Sequence, residues 1–147
     1  MGQLARNAFN KKYGMPDSKI MGTINSKIGI KLNKLVNTGD KTDIIEIIDH
    51  INTIIGTRIS DISADNFKEP FTGRPKISQD YENPTGVLFL TSNGSADLLV
   101  GNNRINMQQN KIIFVNERNS YYIEKTNGTN LIMLSARFTW DPERHGA

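Results

Sequence analysis

From residue 86 onward the sequence alternates short apolar runs with polar turns, and this rhythm restricts the fold more than any other feature. The runs are Gly86 to Thr91, Ala96 to Val100, Arg104 to Met107, Asn110 to Val115, Ser120 to Lys125 and Asn130 to Trp140. Ser92-Asn93-Gly94-Ser95, Gly101-Asn102 and Thr126-Asn127-Gly128 separate them. Asn-Gly between apolar runs is a strong hairpin signal, because both residues tolerate the backbone angles of a tight turn. Strand signals recurring about every 8–12 residues predict an antiparallel sandwich or jelly roll.

The first half reads differently. Ile44, Ile47, Ile48, Ile51 and Ile55 fall on one face of a helix, and Ile45 and Ile54 widen that face. Asp40 or Thr42 can cap it, Asp43 and Glu46 suit its first turn, and Gly56 stops it. So wide a stripe has to be buried, on the β half or against another subunit. Residues 22–38 carry Ile24, Ile28, Leu32, Leu35 and Val36 at helical spacing. Ile28, Ile30 and Leu32 also alternate like a strand, and Gly29 costs a helix about 1 kcal/mol; helix is the preferred reading. Residues 57–85 read as connecting chain, interrupted by Pro70, Pro75 and Pro84. Arg58, Ile59 and Ile62 suit the start of a strand there, and Phe67 and Phe71 are expected to plug gaps on the body's surface.

A chain of 147 residues suits one domain. The organisation expected is a basic N-terminal arm over 1–21, a helical segment and long connection over 22–83, and a jelly-roll-like region with a C-terminal tail over 84–147. Residues 1–41 hold eight Lys or Arg against two Asp, a formal charge of +6, while the remainder carries −3. Leu4, Ala5, Ala8, Phe9, Tyr13 and Met15 are too scattered to make a core. The arm is therefore expected to dock on its own body, on a neighbouring chain, or on an acidic partner or nucleic acid. No apolar run approaches the ~20 residues of a membrane span, the start lacks a signal-peptide core, and Arg6 stands where a myristoylation signal needs Ser or Thr. A soluble chain is expected.

The order of the β half carries a resemblance. A Gly-led turn precedes Asp97-Leu98-Leu99-Val100-Gly101-Asn102-Asn103; Ile105 to Gln109 and Asn110-Lys111-Ile112-Ile113-Phe114-Val115 follow. An exposed strand at Tyr121-Tyr122-Ile123 leads to Leu131 to Phe138. Over roughly residues 84–140 this resembles the double-stranded β-helix shared by cupins and 2-oxoglutarate-dependent oxygenases. The resemblance implies a jelly roll with a metal held inside by two His and a carboxylate. The sequence departs from that pattern. Its histidines are His50, followed by Ile51-Asn52, and His145; the distal ligand would fall near Tyr121, and cysteine is absent. A catalytically empty version, with neither metal nor cofactor, is the expectation.

Other chemistry is sparse. Asp97, Glu117, Glu124, Asp141 and Glu143 lie in or near the β half, Glu117 and Glu124 at turn or alternating positions where carboxylates are usually solvated. Neither Gly-x-Ser-x-Gly nor a P-loop occurs. Lys11, Lys12 and Tyr13, and Arg118, Tyr121 and Tyr122, mix charge with aromatics as single-strand binders do, but Tyr121 and Tyr122 should face opposite ways along a strand.

The reading is a mainly β (α+β) protein: a jelly-roll-like antiparallel sandwich preceded by helices and an arm. Its expected role is non-enzymatic, structural and homo-oligomeric. Leu4, Arg6, Phe9, Lys11, Lys12, Tyr13, Trp140 and Arg144 are the candidate partner contacts of arm and tail. The layout looks like a small tailed-bacteriophage virion protein, a decoration, neck or tail component assembled in the host cytoplasm with other virion proteins. The alternatives are a cupin-like domain with an apolar cavity near Phe89, Leu99, Phe114 and Tyr122, and a divergent oxygenase.

Overall fold

The computed structural model describes residues 17–77, 86–116 and 119–141. Their elements run β1 (Ser18–Thr23), α1 (Ser26–Thr38), α2 (Ile44–Ile55), β2 (Thr57–Arg58), β3 (Ser63–Phe67), β4 (Phe71–Gly73), β5 (Gly86–Asn93), β6 (Ala96–Val100), β7 (Asn103–Met107), β8 (Lys111–Asn116), β9 (Tyr121–Lys125) and β10 (Leu131–Trp140).

Two antiparallel sheets form. In the larger the order is β1-β8-β5-β10, with β3 and β2 sharing the outer edge of β10. In the smaller the order is β4-β9-β6-β7. The eight strands β3-β10-β5-β8 and β4-β9-β6-β7 therefore make a jelly-roll-like sandwich, the chain changing sheet at every step from β3 to β10 except between β6 and β7.

Burial explains why the strands of the large sheet are apolar throughout. One face carries Val87, Phe89, Ile113, Val115, Leu131 and Met133, which pack against Ala96, Leu98, Val100, Met107, Tyr121 and Ile123 of the small sheet. The opposite face carries Leu88, Leu90, Ile112, Phe114, Leu134, Ala136, Phe138 and Trp140, which pack against the two helices. Both faces of a strand are then withdrawn from water, so alternation gives way to continuous apolar runs. The molecule has three layers: helices, six-stranded sheet, four-stranded sheet.

The helices follow from their sequences. Asn25 caps α1, its Oδ1 accepting from the Ile28 N–H at 2.9 Å. For α2 the stop is Gly56, at φ 69°, a left-handed conformation that glycine adopts without steric cost. Asp43 occupies the N-cap position without a side-chain capping bond, whereas Asp40 Oδ1 accepts from the Thr42 N–H at 2.9 Å in the preceding turn. The isoleucine stripe is buried within the chain: Ile47, Ile48, Ile51 and Ile55 lie against the large sheet, each contributing about 1.5–3 kcal/mol of hydrophobic stabilisation.

Two stretches read from sequence as arm and connection are strands. Ser18–Thr23 pairs with β8, Ser18 opposite Val115 and Thr23 opposite Lys111. Ser63–Phe67 pairs with β10, and Phe71–Gly73 with β9. The roll thus begins at Ser63, and the helices precede it without interrupting it. Ser-Ala-Asp-Asn-Phe has little strand propensity of its own; the ladder to β10 supplies the order.

Candidate interaction surfaces and the closed interior

The space between the sheets is where the resemblance implies a site, and in this chain packing occupies it. Residues 74–77 cross the end of the sandwich after β4. The Arg74 guanidinium carbon sits 4.4 Å above the centroid of the Tyr121 ring. The Lys76 carbonyl accepts from Ser135 Oγ at 3.3 Å, and the Ile77 carbonyl accepts from Arg137 Nη1 at 3.5 Å. The Ile77 side chain is buried in the inter-sheet core. This strap ties the small sheet to the large one and places a plug between them.

Tyr121, near which the distal metal ligand of the oxygenase pattern would fall, is buried. Its ring meets Phe89 edge-on at 5.5 Å and is covered by Arg74. It is a phenol where that pattern has an imidazole, and its ring is enclosed by packing. Among the described residues, no group of three or more His, Cys, Asp or Glu is placed to hold a metal ion. His50 lies half-buried on α2, its Nε2 facing the Asn25 N–H at 3.4 Å.

The residues assigned to an apolar cavity do not share one space. Phe89 faces the small sheet, while Phe114 faces the helices. Leu99 and Tyr122, paired across β6 and β9, lie on the outer surface of the small sheet, Tyr122 38% exposed. The reason is register: Leu88 pairs with Phe114 and Phe89 with Ile113, which puts the two phenylalanines on opposite faces. Tyr121 and Tyr122 do face opposite ways, the first buried and the second exposed.

The outer surface of the small sheet carries a charged cross-strand group. Asp97 lies between Asn106 on β7 and Glu124 on β9. From β7, Arg104 Nη1 donates to Asp97 Oδ2 at 2.7 Å and to Glu124 Oε1 at 3.0 Å. The hydrogen bond from Arg104 holds the Asp97 carboxyl below its ordinary value of 3.8. Arg104 itself is raised, Glu124 being the larger cause. The group is self-satisfied, with one cation answering two carboxylates.

A cleft of about 570 Å³ opens where the C-terminal end of α1 meets β3 and the strap. Leu35, Val36, Ile44 and Ile62 line its apolar wall, and Asp61, Asp65, Lys41 and Lys76 its rim. On the helical layer the outward side chains include Lys27, Ile30 and Lys34 of α1 and Ile45, Glu46 and Asp49 of α2, with Lys31 and Glu46 joined as an ion pair.

Of the candidate contacts read from sequence, Leu4, Arg6, Phe9, Lys11, Lys12, Tyr13 and Arg144 lie outside the described residues, as do Glu117, Arg118, Glu143 and His145. Trp140 is 1% exposed. It packs in the core against Phe138 at 4.9 Å and Phe114 at 5.9 Å between ring centroids. The strap was hidden in the sequence because Pro75 and its charged neighbours look like surface chain; Ile77 was the one signal of burial. No helix among the described residues is long and apolar enough to cross a membrane. The sequence matches no protein-family model, and it has no significant match among curated proteins.

Proposed function

We propose that this protein is a non-enzymatic assembly component that forms a homo-oligomer through its outer surfaces and its basic N-terminal arm. The observation that supports this reading is the strap: Ile77 lies between the sheets and Tyr121 is enclosed by Phe89 and Arg74, in the region where the cupin resemblance would put a ligand. What the molecule offers to others is then its exterior. β1 lies at the edge of the large sheet, where its outer side faces no other strand among the described residues.

An arm leading into a jelly-roll-like body is similar in layout to small tailed-bacteriophage virion proteins. A decoration, neck or tail component is the form of assembly this favours. Light scattering coupled to size-exclusion chromatography tests the oligomer. The full chain should elute as a multimer, and replacing Leu4, Phe9 and Tyr13 together by Ser should lower its mass. A full chain that stays monomeric up to about 100 µM, where a contact of about −5.5 kcal/mol would already be half-formed, overturns the reading. Recovery of the chain at many copies per purified virion would support the particle assignment, and its absence from virions would remove it.

A further inference from the structure

Charge is divided between the two helices of the outer layer. Residues 26–38 hold Lys27, Lys31 and Lys34 and no acid, while residues 44–55 hold Glu46 and Asp49 and no Lys or Arg. Each helix also turns one isoleucine to solvent, Ile30 at 66% and Ile45 at 69% exposure, the two most exposed large apolar side chains among the described residues. The Lys31–Glu46 ion pair and the contact between Asn25 and His50 fix the helices antiparallel. They also set Ile30 level with Glu46, and Ile45 level with Lys31, to within about one residue, a rise of about 1.5 Å.

We propose that this face binds a second copy of the chain about a two-fold axis lying parallel to the helices, so that α1 of each protomer rests on α2 of the other. The proposal rests on the homo-oligomeric reading above and names a surface and a symmetry for it. A face-to-face homodimer of two helices can use an in-plane axis along the helices or across them. The axis across them stacks α1 on α1 and sets lysine against lysine. The axis along them stacks basic α1 on acidic α2, twice. That second operation also preserves height along the helices, so Ile30 of one protomer meets Ile45 of its partner on both sides of the axis. Two apolar contacts framed by opposite charges then leave water together. The patch is two helices wide and about 18 Å long, below the size of a permanent interface, and the dimer is a reversible one.

Charge reversal in the full chain tests this. Variant one carries Lys27→Glu and Lys34→Glu; variant two carries Glu46→Lys and Asp49→Lys. All four positions are exposed, and circular dichroism checks that both variants fold. By sedimentation velocity each alone should self-associate at least tenfold more weakly than the parent. An equimolar mixture should recover a heterodimer, because each mixed contact again joins opposite charges. A mixture that stays unassociated overturns the proposal. So does parental self-association in both variants; if the Leu4, Phe9 and Tyr13 replacements alone then lower the mass, the arm mediates assembly and only this surface fails. The parent chain gives an independent reading: its self-association should weaken as salt rises from about 0.05 M to about 0.5 M, and strengthening overturns the proposal.

Discussion

A Cβ placed on Gly94 would stand 2.2 Å from the carbonyl oxygen of Asn130. The β5–β6 turn and the entry to β10 are pressed together there, and the residue also sits at φ 83°. Gly94→Ala combines a backbone clash with a conformation that L side chains avoid. It should destabilise the fold by about 3 kcal/mol, read as a lower midpoint in urea unfolding. A loss under about 1 kcal/mol would mean that the two segments separate easily.

Trp140 is the only tryptophan, and it lies edge-on to Phe138 beneath the helices. Its fluorescence therefore reports on the helix-facing core alone. Phe138→Ala should cost about 3–5 kcal/mol by opening a cavity and should shift the emission of Trp140 in the folded protein. An unchanged emission maximum would place the indole outside this cluster.

Arg104 stabilises Asp97 in its charged form. The folded carboxyl titrates below its ordinary value, so this contribution is present above about pH 4 and is lost as pH falls through the depressed folded value. Arg104 and Asp97 side chains are 50% and 30% exposed, so solvent screening keeps the contribution small. Arg104→Ala should move the Asp97 carboxyl back up in an NMR titration and flatten the acid limb of the stability curve. An unmoved titration would show the pair broken in solution.

Lys125 is 1% exposed, and its Nζ donates to the carbonyls of Asn127 at 2.6 Å and Lys68 at 3.3 Å. Those bonds hold the β9–β10 loop to the end of β3. Lys125→Met keeps most of the volume but removes the donor shared by two part-buried hydrogen bonds, and should cost about 1–2 kcal/mol. Thermal unfolding measures it; a stabilised variant would mean that the ammonium's burial outweighs its bonds.

The strands from Gly86 to Trp140 were legible because apolar runs and turn residues carry their own signal, and the same holds for α2 with its isoleucines and Gly56; the hairpin reading of the Asn-Gly turns was not correct, since Asn93-Gly94 and Asn127-Gly128 each join strands of different sheets. The strands β1, β3 and β4 were not. Ser18, Asp65 and Thr72 are ordinary surface residues until Val115, Met133 and Glu124 are set opposite them. The closed interior was equally hidden. Nothing local in Arg74 to Ile77 announces that two of their carbonyls meet Ser135 and Arg137, some 60 positions on. Side of the sheet was the other failure: grouping Phe89 with Phe114 ignored that their partners set them on opposite faces.

Because β10 fills the gap between β3 and β5 in the large sheet, two strands earlier in the chain wait on one that follows them. Until Leu131 to Trp140 leave the ribosome, Ser63–Phe67 has no ladder and one side of Gly86–Asn93 stays unclaimed. The nascent chain must spend that interval with two bare strand edges, open to pairing with other chains or to a chaperone.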